Sequence, residues 1–184
     1  MRKSLPLLML VMVLTLALAI PVMAQLRGQA GPDNSPKVGD MAPDFAVSAG
    51  GRGGPASNLK DFQGKKNVIL MFFPGAFTPG CTTEFTEAGA QYDKFAALNL
   101  EILGISTDLP GAQAAFKTSV GAKNTFVSDR DLSIATKYDA NNPNGAKRSY
   151  FLIDQTGKIL WKSTNNSLIP TDKLITDITP LLKK

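Results

Sequence analysis

The chain has no histidine and only one cysteine among its 184 residues. Without histidine it cannot build a Ser-His-Asp or Cys-His catalytic group, or a metal or haem site ligated by histidine. With one thiol it cannot build a cysteine-rich zinc site or an iron–sulfur cluster, and it cannot close a disulfide within itself. Thiol redox chemistry at that single cysteine is one of the few demanding chemistries left open.

Strong charge and phosphate-binding loops are also missing. The formal net charge is only +5, and the basic residues are scattered, so no basic stripe indicates a nucleic-acid partner. The glycine cluster at residues 50–54 lacks the Lys-Ser/Thr ending of a phosphate loop and is typical of a flexible hairpin turn. We therefore expect no cofactor and no nucleic acid.

The start of the chain predicts a targeting segment. Arg2 and Lys3 form a basic beginning, a long apolar run follows, and Val-Met-Ala at residues 22–24 resembles a cleavage site. An uncleaved membrane anchor is the alternative, because the apolar run approaches the length that spans a bilayer. The expected organisation is a signal peptide (1–24), a flexible leader rich in Gly, Pro, Asn and Gln (25–35) and one domain (36–184).

The cysteine lies where a predicted strand gives way to a predicted helix. The apolar run at residues 67–73 favours a central strand buried on both faces, and Pro74 ends it. Cys81 then falls in the first helical turn, where free N–H groups and the helix dipole stabilise a thiolate. An inert core thiol is the alternative. The helical spacing after it is carried by Phe85, Ala88, Tyr92, Phe95 and Ala96.

The rest of the chain predicts alternating strands and helices. Apolar and turn patterns indicate a hairpin over 45–59, with the glycine cluster at its tip, and a second buried strand over 100–106. This order predicts an α/β, thioredoxin-like fold with a central mixed sheet flanked by helices. The other expected elements are a helix from Pro110 carrying Ala112, Ala115 and Phe116, a strand near 126–127, a helix at 132–138, a loop at 141–145, paired strands at 147–154 and 159–161, and a last helix after Pro170.

Residues 74–84, Pro-Gly-Ala-Phe-Thr-Pro-Gly-Cys-Thr-Thr-Glu, resemble the active-site loop of the peroxiredoxins. These are the thiol peroxidases of the alkyl hydroperoxide reductase/thiol-specific antioxidant superfamily. Residues 38–45, 59–65 and 147–154 resemble, in order, the family's opening segment, the approach to the active-site strand and the strand that brings in its arginine. The Cys-Thr-Thr-Glu string favours the bacterioferritin comigratory protein, or peroxiredoxin Q, branch, although the loop is also similar to that of the peroxiredoxin 5 branch.

The resemblance implies roles for five residues. Cys81 would be the peroxidatic nucleophile, Arg148 would stabilise its thiolate and hold the peroxide, and Thr78 would hydrogen-bond the peroxide. Pro74 would shield the site from water, and Glu84 would orient the arginine or the helix start. Taken singly, each has an ordinary alternative: Arg148 a solvated strand end, Thr78 a capping hydroxyl, and Glu84 a partner of the helix dipole.

The resemblance implies an antioxidant enzyme that reduces hydrogen peroxide and organic hydroperoxides through a sulfenic acid at Cys81. Because there is no second cysteine, we expect recycling by an external thiol, either a thioredoxin-like protein or a small molecule. We expect an exported protein, periplasmic or extracytoplasmic, free of the membrane after cleavage, and a monomer or homodimer. A thiol–disulfide oxidoreductase would need the Cys-x-x-Cys pair that the chain lacks, whereas a non-enzymatic module on the same fold stays open.

Overall fold

The computed structural model describes residues 33–47 and 57–182. In these ranges the chain forms nine strands, five α-helices and a short 3-10 helix at Leu59–Phe62. The strands are β1 (Ala46–Val47), β2 (Ser57–Asn58), β3 (Asn67–Phe72), β4 (Leu100–Ser106), β5 (Thr125–Ser128), β6 (Asn141–Asn142), β7 (Gly145–Ala146), β8 (Ser149–Ile153) and β9 (Ile159–Ser163). The helices are α1 (Pro79–Ala90), α2 (Tyr92–Ala96), α3 (Pro110–Ser119), α4 (Ser133–Lys137) and α5 (Thr171–Leu182).

Five of the strands form a mixed central sheet in the order β5-β4-β3-β8-β9. Strands β3, β4 and β5 are parallel, whereas β8 runs antiparallel to both β3 and β9. Every residue of β3 and β4 is buried, because a strand covered on both faces needs apolar side chains on both. The predicted mixed sheet flanked by helices is confirmed, and so are its two buried strands.

The alternating side chains of β3 divide the hydrophobic core between the two faces of the sheet. Leu70 belongs to the cluster on one face, together with residues of β1 and α4. Met71 belongs to the cluster on the other face, together with residues of α1, α2, α3 and α5. Cys81 lies in this second cluster, with 0% of its surface exposed. The thiol is therefore part of the core on the face that carries most of the helices.

The helix after Cys81 is shorter than its apolar spacing predicted. Helix α1 ends at Ala90, and Gln91 leaves the helical conformation with φ −105° and ψ 14° before α2 begins. Phe85 and Phe95 nevertheless pack into the same cluster. The apolar spacing continues across a one-residue break, which periodicity alone cannot detect.

Two further sequence predictions need correction. Residues 141–145, predicted as a loop, contribute to β6 and β7, which pair as an antiparallel hairpin. On α3, the predicted apolar position Ala115 is exposed, and Gln113 is buried instead. The side chain of Gln113 donates to Ser106 Oγ and to the carbonyl of Val127, both at 2.9 Å. These hydrogen bonds are what allow a polar side chain to occupy a core position.

The predicted signal peptide and the glycine-rich hairpin tip lie outside the described residues. The last residues of the predicted leader lie against the domain, since the backbone N–H of Asn34 donates to the Asp139 carboxylate at 3.1 Å and Ser35 is buried. In other respects the division of the chain into leader and domain stays a prediction. No helix in the described ranges is both long and apolar enough to cross a bilayer.

Candidate active site

The motif at residues 74–84 forms a loop and a helix start beyond the carboxyl end of β3. Helix α1 begins at Pro79, which suits a first helical position because that position needs no N–H. Cys81 is the third residue of α1, as predicted, and it is fully buried. The free N–H groups and the dipole of the helix therefore act at the sulfur where screening by solvent is weak.

The guanidinium of Arg148 lies against the sulfur of Cys81. Nη2 is 3.1 Å from Sγ, and Nε donates to Glu84 Oε2 at 3.1 Å. Arg148 directly precedes β8, and Ser149 of β8 pairs with Phe72 at the end of β3, so the strand register brings the arginine next to the thiol. Only 11% of the Arg148 side chain is exposed. The interpretation of Arg148 as a solvated strand end is therefore wrong.

Glu84 connects this arginine to a tyrosine that the sequence analysis missed. The carboxylate is 2% exposed, and while one oxygen accepts from Arg148 the other accepts from the hydroxyl of Tyr150. Tyr150 is buried in β8. A buried tyrosine in an otherwise apolar strand usually needs a hydrogen-bond partner, and this was the signal available in the sequence. Glu84 thus does more than complement the helix dipole.

Burial is the largest single influence on the pKa of each group around the thiol, but at Arg148 the neighbouring charges together outweigh it. It raises the pKa of Glu84, although the hydrogen bond from Tyr150 and the charge of Arg148 act in the opposite direction. Burial would lower the pKa of Arg148, but the charges of Glu84 and Cys81 outweigh it and raise that pKa. Burial, with help from Glu84, raises the pKa of Tyr150. At neutral pH Arg148 is a cation and Tyr150 is a neutral donor.

Thr78 and Pro74 lie on the exposed side of the loop. Thr78 immediately precedes α1, but its side chain makes no capping hydrogen bond. Its hydroxyl donates instead to the carbonyl of Gly75 at 3.1 Å, and its oxygen keeps lone pairs for another donor. The interpretation of Thr78 as only a capping hydroxyl is wrong. The structure thus joins the cysteine, glutamate and arginine directly and places the threonine and proline on the adjoining loop.

A carboxylate outside the motif holds this loop in place. Asp108 Oδ2 accepts from the backbone N–H of Ala76 and from Ser106 Oγ, each at 2.8 Å. Asp108 follows the carboxyl end of β4, the strand beside β3. Sequence reasoning missed this contact because its two sides are 32 residues apart and nothing local marks it.

The described residues offer no evident metal site. No group of three or more His, Cys, Asp or Glu side chains among them is placed to bind a metal ion. The polar groups next to the sulfur belong to a guanidinium, which donates hydrogen bonds and suits an anion or an oxygen atom. The expectation that the protein needs no cofactor stays a prediction.

Comparison with known proteins places the chain in a family. Residues 38–162 match the AhpC/TSA family. The chain is 33% identical to peroxiredoxin bcp1 of Schizosaccharomyces pombe over 155 residues, which cover 80% of this chain and 78% of that protein. It is 34% identical to peroxiredoxin Bcp of Escherichia coli K12 over 134 residues, which cover 68% of this chain and 84% of that protein.

Solved structures of peroxiredoxins share the fold. The reduced 2-Cys peroxiredoxin of Plasmodium vivax superimposes with a TM-score of 0.69 and 31% identity, over 78% of this chain and 95% of that one. Peroxidoxin BcpB of Mycobacterium tuberculosis gives a TM-score of 0.69 with 26% identity, over 80% of this chain and 96% of that one. The predicted thioredoxin-like fold is confirmed.

A thioredoxin-like sheet that holds a thiol at a helix start, in contact with an arginine, defines a thiol-dependent oxidoreductase. The family match and the relatives narrow this class. The chain belongs to the AhpC/TSA family and is a peroxiredoxin, that is, a thiol-dependent peroxidase. Its relatives include proteins of the Bcp type, the branch that the loop sequence favoured.

Proposed function

We propose that this peroxiredoxin works with Cys81 alone and reduces hydrogen peroxide and organic hydroperoxides in antioxidant defence. The observation that supports this most directly is the contact between the sole cysteine and Arg148, at 3.1 Å from Sγ to Nη2. A positive charge beside a thiol favours the thiolate, which is the nucleophilic form.

The reaction transfers two electrons from sulfur to the peroxide. The Cys81 thiolate attacks the terminal oxygen of the peroxide, so that an S–O bond forms as the O–O bond breaks. The departing oxygen takes up a proton and leaves as water or an alcohol, and Cys81 is left as a sulfenic acid. Arg148 supplies donors both to the sulfur and to the peroxide oxygens, where negative charge moves during the reaction.

The other residues of the loop support this step. Thr78 accepts a hydrogen bond from the bound peroxide, because its own proton is given to the loop backbone. Pro74 shields the thiol from water at the end of β3, and Glu84 holds the guanidinium through Nε at 3.1 Å. Each of these roles is part of the proposal.

Recycling requires a thiol from another molecule, because Cys81 is the only cysteine of the chain. The incoming thiol condenses with the sulfenic acid, which releases water and forms a mixed disulfide. A second thiol then attacks the disulfide, restores Cys81 and leaves the reductant oxidised. Either a thioredoxin-like protein or a small thiol can supply these two thiol groups.

We place the enzyme outside the cytoplasm, in the periplasm or another extracytoplasmic space. The support is the basic start, apolar run and small-residue ending of residues 1–24. The alternative is a chain tethered to the membrane by an uncleaved leader. Cell fractionation with N-terminal sequencing of the recovered protein distinguishes the two, since only cleavage yields a chain that begins after Ala24.

The one-cysteine reaction is tested with Cys81→Ser. This variant is expected to lose dithiothreitol-dependent peroxide consumption while keeping the wild-type circular dichroism, because a serine hydroxyl is a far weaker nucleophile at neutral pH. Mass spectrometry of wild-type protein trapped with dimedone after peroxide should find the adduct on Cys81. Peroxide turnover retained in Cys81→Ser would refute the proposal, and a folded wild type without turnover would favour a non-enzymatic module.

A further inference from the structure

We propose that Tyr150 is a positioning residue for the peroxidase reaction and acts on Cys81 through Glu84 and Arg148. The inference rests on the proposed role of Arg148 at the thiol. The tyrosine hydroxyl holds the Glu84 carboxylate in its orientation, and the carboxylate in turn holds the Arg148 guanidinium in place.

Three contacts in series link the tyrosine to the sulfur. The Tyr150 hydroxyl donates to Glu84 Oε1, and Glu84 Oε2 accepts from Arg148 Nε at 3.1 Å. Arg148 Nη2 is then 3.1 Å from Cys81 Sγ. The tyrosine, the glutamate and the cysteine are 1%, 2% and 0% exposed. Hydrogen bonds that follow one another in such a dry environment polarise and orient each other.

The two carboxylate oxygens of Glu84 have different partners, and for this reason the Tyr150 hydroxyl affects the position of Arg148. Without it, Oε1 would be left buried with no donor from Tyr150, which is an unfavourable state for a carboxylate. The carboxylate would then turn toward the guanidinium or take up a proton, which its burial already favours. Either change alters the partner of Nε and therefore the position of Nη2 at the sulfur.

Tyr150 also reaches the segment that holds the backbone of Arg148. The N–H of Ile169 donates to the Tyr150 hydroxyl at 3.3 Å. The side-chain oxygen of Asn166 accepts from the backbone N–H of Arg148 at 2.8 Å. Both contacts come from the segment between β9 and α5. One short stretch of chain therefore connects the tyrosine hydroxyl with the backbone of Arg148.

Tyr138 provides a matched comparison for a tyrosine that only stabilises the fold. It is 0% exposed, and its hydroxyl donates to the carbonyl of Pro43 at 2.7 Å. It lies in the core cluster on the opposite face of the sheet from Cys81. Replacing either tyrosine by phenylalanine removes its hydroxyl and leaves the ring in place. Tyr150 then loses its hydrogen bonds with Glu84 and Ile169, and Tyr138 loses its hydrogen bond with Pro43.

The test compares Tyr150→Phe with Tyr138→Phe. Thiol oxidation is followed as the loss of free Cys81 under excess hydrogen peroxide, and thermal unfolding is measured on the same samples. We expect Tyr150→Phe to slow oxidation about tenfold, the effect of one well-placed hydrogen bond on a barrier. Tyr138→Phe should also lower the free energy of unfolding, because it removes a hydroxyl from a hydrogen bond, but should leave the oxidation rate unchanged. Equal rates for the two variants would overturn the proposal.

A second measurement separates positioning from a structural role. If Tyr150 acts through Arg148, then Tyr150→Phe added to Arg148→Met should slow oxidation no further than Arg148→Met alone. Multiplicative losses would overturn the proposal. If Tyr150→Phe fails to fold, Glu84→Gln is compared with Arg148→Met in the same way. It tests the link between the carboxylate and the guanidinium, on which the proposal depends, and multiplicative losses there would also overturn it. Wild-type rates in Tyr150→Phe with an inactive Cys81→Ser would refute this inference alone, whereas an active Cys81→Ser would refute the proposed function itself.

Discussion

Arg148 is held between a carboxyl group and a sulfur atom that solvent hardly reaches. Its Nε binds Glu84 and its Nη2 binds the sulfur of Cys81, and these partners are 2% and 0% exposed. A buried charge is tolerated only while it is paired, because burial removes its hydration. Loss of the guanidinium therefore affects both partners, since the sulfur of Cys81 loses its donor and the carboxyl group of Glu84 loses its ion-pair partner.

Arg148→Met is expected to slow the oxidation of Cys81 by peroxide about 100-fold, the usual loss when a preorganised donor at a reacting centre is removed. Methionine keeps an unbranched side chain in the site and removes only the charge and the donors. The measurement is the rate at which free thiol disappears under excess hydrogen peroxide. Arg130→Met is the control, because Arg130 is exposed and should react as wild type does. A wild-type rate in Arg148→Met would contradict the assigned role.

At the scale of residues, those site residues that belong to a recognisable motif could be predicted from the sequence. The motif and the strand segment pointed to Cys81, Glu84 and Arg148, which meet in the structure. Tyr150 and Asp108 were missed, because their partners lie 66 and 32 residues away and the contacts depend on strand register and on the path of the loop. Tertiary contacts of this kind leave no periodic pattern in a single sequence.

At the scale of elements, the close packing of β4 against the side chains of Phe85 and Phe126 depends on a glycine, Gly104. A Cβ at Gly104 would lie 2.8 Å from the ring of Phe126 and 3.0 Å from that of Phe85. The two rings pack against each other with centroids 4.8 Å apart. Phe85 is in α1, one helical turn after the reactive cysteine, so Gly104 permits the close packing of α1 on the sheet.

Gly104→Ala is expected to lower the free energy of unfolding by about 1–3 kcal/mol, the usual cost of overpacking a core. Chemical denaturation measures the change. Gly111→Ala makes the same substitution in α3, where a Cβ meets nothing within 4 Å, and should leave stability unchanged or raise it by up to about 1 kcal/mol. Equal effects at both positions would contradict the packing argument.

The turn between β8 and β9 depends on one carboxylate. Asp154 Oδ1 accepts from the N–H and the hydroxyl of Thr156, at 2.8 and 2.7 Å, and from the N–H of Lys158 at 3.0 Å. Burial would raise the pKa of Asp154, but these hydrogen bonds outweigh it and hold that pKa below its usual range. The ionised carboxylate is therefore the form that the folded turn prefers.

Because the pKa of Asp154 is lowered on folding, its contribution to stability is present above the unfolded pKa of about 3.9 and is lost as the pH falls from there through the folded value. Asp154→Asn should cost about 1 kcal/mol at neutral pH, a modest amount because solvent screens this partly exposed group. Urea unfolding as a function of pH checks this, and the two proteins should converge in acid. A difference independent of pH would contradict the assignment.

Helices and strands that carry a clear apolar pattern were predicted from the sequence. Elements whose bounds depend on the backbone conformation of a few residues were not. Strands β3 and β4 carry continuous apolar runs and are buried throughout. The break at Gln91 and the hairpin β6–β7 leave no such signal, because both depend on the backbone conformation of one or two residues. The antiparallel pairing of β1 with β2 was predicted from the turn-rich segment between them.

At the scale of the whole molecule, the single cysteine of the chain limits how the enzyme can be reduced after each turnover, and the proposed export limits which thiols it can meet. In the proposed reaction, the sulfenic acid at Cys81 either reacts with an external thiol or is oxidised further to the sulfinic acid. A Cys81–Cys81 dimer is disfavoured because the sulfur is fully buried, so two copies could join only after both sites had opened. A reductant with an exposed, reactive thiol needs only one site to open.

We therefore expect oxidised protein to form a transient mixed disulfide through Cys81 with an exported, thioredoxin-like reductant, since disulfides persist outside the cytoplasm and small reducing thiols are scarce there. Non-reducing electrophoresis of cell-envelope extracts after a peroxide pulse should show a band that contains this protein and a partner and that dithiothreitol removes. Cys81→Ser is the control and should give no such band. Finding only monomer and self-dimer at all times would contradict a dedicated partner, and finding the protein in the cytoplasm with residues 1–24 attached would remove the premise that it is exported.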